Sequence, residues 1–198
     1  MKIDQSLPLE YSTPANQSNI LGFWIFLGAE IMLFATLFAS YFTLVDRTGN
    51  GPTGAEIFEI TPVLIETLVL LTSSFIIGLG INAMRMGKKK EMITFYTITL
   101  ALGLVFLGLE IYEFIHYVHV GAGLQVSAFS AILLTTLGTH GAHVTFGLFW
   151  GLCIILQLKK RGLTPETANK SFIFSLYWHF LDVVWIFIFS FIYLKGMM

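Results

Sequence analysis

Residues 20–45 read ILGFWIFLGAEIMLFATLFASYFTLV, twenty-six positions with one charged side chain, Glu30. A helix rises about 1.5 Å per residue, so crossing the ~30 Å hydrocarbon layer of a bilayer takes about 20 apolar residues. This run predicts a transmembrane helix without help from the rest of the chain. Four further runs, 62–84, 92–116, 126–158 and 172–194, meet the same length criterion. Strands that alternate lipid-facing and lumen-facing residues are absent from them, and open sheet would leave unpaired backbone groups in lipid. The expected fold class is therefore all-α, an integral membrane bundle of five transmembrane helices. Prolines 8, 14, 52, 62 and 165 fall outside or at the start of a run, so uninterrupted helical rods are expected.

Composition agrees. Of 198 residues, 56% are hydrophobic and 12% charged, with mean hydropathy +0.78, whereas a soluble domain is roughly one quarter charged. A net charge of −1 supplies no basic surface for nucleic acid. The single cysteine, Cys153, sits in an apolar run without a partner for a disulfide or a thiolate cluster, and is expected to be a buried small hydrophobe. Residues 1–19 are polar and lack the apolar core of a secretory signal. They are read as a cytoplasmic N-terminal segment, followed by the five-helix domain at 20–196, whose first span serves as an uncleaved anchor.

Lysine and arginine set the orientation, because short cytoplasmic loops collect them. Arg85, Lys88, Lys89 and Lys90 fill the second connection, and Lys159, Lys160, Arg161 and Lys170 the fourth. With Lys2 these place nine basic residues on one side, against Arg47 and Lys195 on the other. A cytoplasmic N-terminus and an external C-terminus follow.

An ionised side chain inside a span is costly and normally faces the bundle interior with a partner. Glu30, Glu110, Glu113 and Asp182 lie inside spans; Glu66, near the start of the second, is expected to be an edge residue within reach of water. Glu110 and Glu113 share a helical face that His116 and His119 extend. Thr136, His140, His143, Gly147 and Gly151 form a second stripe, in which the two glycines have the small-xxx-small spacing that lets helices approach closely. Ser175, His179 and Asp182 form a third. Glu110, Glu113, His140, His143, His179 and Asp182 are thus expected to join in an interhelical polar network, and Glu30, about nine residues into its run, to be a buried carboxyl with a structural or proton-linked role. Haem or metal ligation remains an alternative for these side chains. Its geometry is unfavourable, since His140 and His143 are one turn apart and no helix carries histidines at two depths. No catalytic residue, metal site or quinone pocket is assigned.

These residues also fall in a recognisable order. GTHGAHV at 138–144, YWHFLDVVW at 177–185, EIYE at 110–113 and FLGAE at 26–30 resemble the signature segments of subunit III of the haem-copper respiratory oxidases, and the resemblance runs from about Gly22 to Gly196. Mitochondrial-type members have seven spans; this chain resembles the short bacterial form that lacks the first two. GFWIF at 22–26 and KKRGLTP at 159–165 look most like the quinol-oxidase branch, with a five-span cytochrome c oxidase subunit as the alternative. The resemblance implies a non-redox subunit of a proton-translocating complex in the bacterial cytoplasmic membrane that oxidises quinol and reduces oxygen to water. It implies haems and copper in subunit I, the main contact, with subunits II and IV as further partners. It also implies bound phospholipid in a cleft between helix bundles, support of proton uptake, and a match of Glu30 to the family's buried glutamate. From the residues alone, an independent proton-coupled transporter using Glu30, Glu110 and Asp182, or a haem-binding membrane anchor, are the competing classes.

Overall fold

The computed structural model describes residues 6–49 and 51–197, so Lys2 and the start of the expected 1–19 segment lie outside the described residues. Among the described residues the helices are α1 (Pro14–Leu44), α2 (Gly54–Ile57), α3 (Ile60–Arg85), α4 (Lys89–His119), α5 (Ala128–Arg161) and α6 (Pro165–Ile188). A π-helical turn, Phe189–Leu194, continues α6. Five of these elements are long and apolar enough to cross a membrane, and the described residues contain no strand.

Capping chemistry places the helix ends beyond the apolar runs. The Thr13 hydroxyl accepts from the Asn16 N–H at 3.2 Å and Pro14 takes the first helical position, so α1 starts six residues before the apolar run does. Thr164 and Thr167 cap each other reciprocally at 2.8 and 3.2 Å ahead of α6, which adds a polar first turn to the last run. Between α5 and α6 the chain turns at Gly162, whose φ of +74° suits a residue without a Cβ. The π-helical turn departs from the expected uninterrupted rod. Such turns admit one extra residue per hydrogen-bonded loop, and this one carries Tyr193 into the core.

Helices α3, α4, α5 and α6 pack in a ring, each touching the next and α6 closing on α3, while α1 lies against α5 and α6. Two tryptophans seven residues apart on α6 join this ring to α3: Trp178 Nε1 donates to Ser73 Oγ at 2.9 Å and Trp185 Nε1 to Thr67 Oγ1 at 3.0 Å. Both rings are fully buried. Glycines make room for them. A Cβ at Gly103 of α4 would stand 2.7 Å from the Trp178 ring, and one at Gly147 of α5 would stand 3.1 Å from it. At Gly151 a Cβ would meet Leu100 at 2.6 Å and Phe174 at 2.7 Å. Gly147 and Gly151 therefore lie on the packed face, but they admit side chains of α4 and α6 rather than the backbone of a facing helix.

The N-terminal segment folds onto one end of the bundle. The buried Glu10 accepts from Arg85 Nε at 2.9 Å and Nη2 at 2.8 Å. Asn169 Nδ2 donates to the carbonyls of Glu10 at 3.0 Å and Asn16 at 3.1 Å, and Asn16 Nδ2 donates to that of Pro165 at 3.0 Å. Backbone carbonyls are thus tied to α6 by two buried amides. Cys153, expected to be buried, is exposed on the outer side of α5, where an apolar environment makes burial in protein unnecessary for a small hydrophobe.

Candidate functional site

The midpoint of α1 carries Glu30, and α5 supplies its partner: His143 Nε2 is 3.1 Å from Glu30 Oε2. Nδ1 of the same ring donates to the Thr139 carbonyl at 2.7 Å, since a carbonyl oxygen can only accept. Tyr177 of α6 donates to the His143 carbonyl at 2.9 Å, and the Phe34 ring lies 5.3 Å from the imidazole. The pair is partly covered, with 14% of the Glu30 side chain and 21% of that of His143 exposed.

A second polar set lies between α3, α4 and the π-helical turn. Tyr117 donates to Glu113 Oε1 at 2.5 Å and Tyr193 to Oε2 at 2.7 Å, so each oxygen of this buried carboxyl has its own phenol. One turn earlier on α4, the Glu110 carboxyl lies against the backbone of α5 at Gly141, where a Cβ would be 2.8 Å from Oε2. Glu66 of α3 belongs here too. The expectation that it is an edge residue is corrected: its side chain is fully buried, on the wall of a small cavity that it shares with Glu113. Its spacing contained the signal. Val63, Glu66, Leu70, Ser73 and Ile77 fall at the three- and four-residue intervals of one helical face, and all five are buried.

The remaining polar residues are distributed singly. His140 is fully buried among rings, with Trp185 at 5.3 Å, Phe106 at 5.8 Å and Phe34 at 6.4 Å, so adjacent turns of α5 send His140 and His143 into different surroundings. His179 Nδ1 shares a 2.6 Å hydrogen bond with Ser74 Oγ, joining α6 to α3, and Asp182 lies beside the same hydroxyl. The residues expected to form one network thus occupy three places: Glu30–His143, Glu110–Glu113 with Glu66, and His179–Asp182 with Ser74. His140 stands in the aromatic packing between them.

No three His, Cys, Asp or Glu side chains among the described residues converge as metal ligands. His140 and His143 are poorly placed to ligate haem. The His140 ring is walled by Phe106 and Trp185, and both nitrogens of His143 are engaged. A long apolar groove of about 750 Å³ runs between α1 and α6, lined by Leu27, Phe34, Phe38, Phe180, Val184 and Phe187 among others. Its size and apolar walls suit hydrocarbon chains.

Residues 9–197 match the protein family described as cytochrome c oxidase subunit III. The chain is 55% identical over 194 residues to quinol oxidase subunit 3 of Bacillus subtilis (strain 168), covering 98% of this chain and 95% of that one. It is 51% identical over 182 residues to a probable quinol oxidase subunit 3 of Staphylococcus saprophyticus, with 90% of each covered. It is 47% identical over 190 residues to cytochrome c oxidase subunit 3 of Bacillus sp. (strain PS3), covering 96% and 92%.

Proposed function

This chain belongs to the cytochrome c oxidase subunit III family, and from that membership we propose that it serves as the non-redox third subunit of a terminal quinol oxidase. In such a complex quinol supplies the electrons and oxygen is reduced to water, with proton translocation across the bacterial membrane that this multi-pass chain occupies. The observation that carries the donor assignment is the 55% identity, along nearly the whole of both chains, to the Bacillus quinol oxidase subunit.

Within that complex the haems and copper belong to subunit I, and quinol is the substrate of the assembly. This chain's own part is to present packed helices to subunit I, with subunits II and IV as further neighbours. The groove between α1 and α6 takes phospholipid acyl chains, whose apolar surface matches the phenylalanine-rich walls. Glu30 and His143 hold α1 to α5 beside that groove, and Glu30 is the partly covered carboxyl that the sequence pattern singles out. Support for proton uptake by subunit I is the role this placement suits. The basic loops after α3 and α5 lie on the cytoplasmic side and the α2 loop on the external side, as the nine-to-two division of lysine and arginine argues.

The test is made on the complex purified from its native membrane through an affinity tag on this chain. Co-purification with haem-bearing subunits and oxygen consumption driven by a menaquinol or ubiquinol analogue are expected. Oxygen consumption with reduced cytochrome c alone would move the chain to the cytochrome c oxidase branch. Purification as a stable single species without haem would overturn the subunit reading.

A further inference from the structure

Glu66 and Glu113 line a small cavity of about 90 Å³ at the end of the bundle that carries α2. Ile57, Pro62 and Tyr117 complete much of its wall, and the exposed Glu59 and half-buried His116 stand at its outer side. Glu59 precedes α3 and Glu66 lies in its second turn, while Glu113 and His116 come from the end of α4. Glu113 is satisfied by Tyr117 and Tyr193. Glu66 is not: its side chain is fully buried, and neither oxygen has a protein hydrogen-bond partner. Glu110, one turn deeper on α4, is in the same condition, with both oxygens buried and unpartnered. Its carboxyl occupies the space a side chain at residue 141 would fill.

Buried carboxyl oxygens without partners are rare because desolvation is costly, and a cavity of about 90 Å³ beside Glu66 has room for the water that would supply one. A metal ion is a poorer fit, because no three acidic or histidine side chains converge on a common point among the described residues. We propose that Glu66, Glu113 and Glu110 form a water-holding proton-exchange site, open to the aqueous phase past Glu59 and His116. Its ligands are water and protons. A proton enters from bulk water at the Glu59–His116 mouth, passes over cavity water to Glu66 or Glu113, and reaches Glu110 as the innermost acceptor. The groups that face this path are Glu59, Glu66, Tyr112, Glu110, Glu113, His116 and Tyr117 from α3 and α4, and Tyr193 from the π-helical turn. No lysine or arginine is among them. The site lies on different helices from the Glu30–His143 pair and does not depend on which electron donor the complex uses.

The experiment uses the whole purified complex in two measurements. In infrared difference spectra between acid and alkaline pH, a protonated-carboxyl carbonyl band should change amplitude with bulk pH and shift in D2O. Part of it should disappear in Glu66→Gln and part in Glu110→Gln. Gly141→Ala, which keeps every acid but pushes on the Glu110 carboxyl, should move the band without removing it. A band identical in all three variants, or one that neither titrates nor shifts in D2O, overturns the proposal. The second measurement is cryo-electron microscopy of the unmodified complex, which needs no variant to assemble. Ordered water between Glu66 and Glu113 is expected. A dry cavity with the carboxyls bonded directly to each other, or a cation ringed by oxygen ligands, overturns it.

Discussion

His143 holds Glu30 with one ring nitrogen and its own helix with the other: Nε2 is 3.1 Å from Glu30 Oε2, while Nδ1 donates to the Thr139 carbonyl at 2.7 Å. With Nδ1 committed as a donor, the contact to Glu30 contains one proton, shared as acid with neutral imidazole or as carboxylate with imidazolium. Either way the pair is neutral as a unit. That is how a carboxyl and an imidazole can stand together in a membrane span where a lone charge would be costly.

Glu30→Gln keeps a donor for Nε2, so assembly and quinol oxidation should remain near normal. Glu30→Leu leaves Nε2 of a mostly covered imidazole unpaired, at a cost of about 1–3 kcal/mol, and should lower retention of this subunit. Both variants are purified in one detergent, and subunit content, oxygen consumption and proton release per electron are compared. Full assembly of Glu30→Gln with turnover or pumping abolished would show that the acid itself, rather than the hydrogen bond, is required.

His140 and His143 are expected to be separable. Truncating the fully buried His140 to alanine removes a ring packed on Trp185 and Phe106 and leaves a cavity in its place, which should lower the stability of the bundle. Replacing His143 with glutamine removes the proton-sharing pair with Glu30 but retains polar side-chain groups. In both cases the haem absorbance of whatever complex assembles should be unchanged. Loss of a haem band at full subunit content would refute the absence of haem ligation by this chain.

Gly103→Ala tests the tryptophan packing. The new Cβ would lie 2.7–2.8 Å from the Trp178 ring, which is pinned by its hydrogen bond to Ser73. Overpacking of this type costs about 1–3 kcal/mol. Thermal release of the subunit from the complex should occur at a lower temperature than in the unmodified protein. Gly108→Ala, where a Cβ meets nothing within 4 Å, should not lower it.

Orientation is checked by cysteine labelling in a Cys153→Ala background, since the native thiol is exposed. Ala55→Cys, at an exposed position of α2, should react with an impermeant reagent applied to whole cells. Arg161→Cys, on the exposed end of α5, should react only after the membrane is opened. The opposite pattern would invert the topology.

Five spans and their all-helical character were readable in the sequence because hydrocarbon thickness imposes a length on any apolar run and leaves backbone groups no partner but their own helix. The signature segments likewise led to the family, and Glu30 was visible as a lone acid in its run. Partnership was not readable. Helical periodicity tells which residues share a face, but the helix that meets that face is set by how five cylinders pack. So His143 turns to Glu30 of α1 while His140, three residues before it, enters the aromatic core. Glu66 joins Glu110 and Glu113 for the same reason: its depth is a matter of where α3 lies against α4. The N-terminal polar segment, read as a cytoplasmic stretch ahead of the five-helix domain, is held to the bundle by Glu10–Arg85 and Asn169, contacts that span 75 and 159 residues of chain. Hydropathy is a property of each residue in its own neighbourhood, whereas these pairings exist only when distant segments are brought together, and only the tertiary structure could decide them.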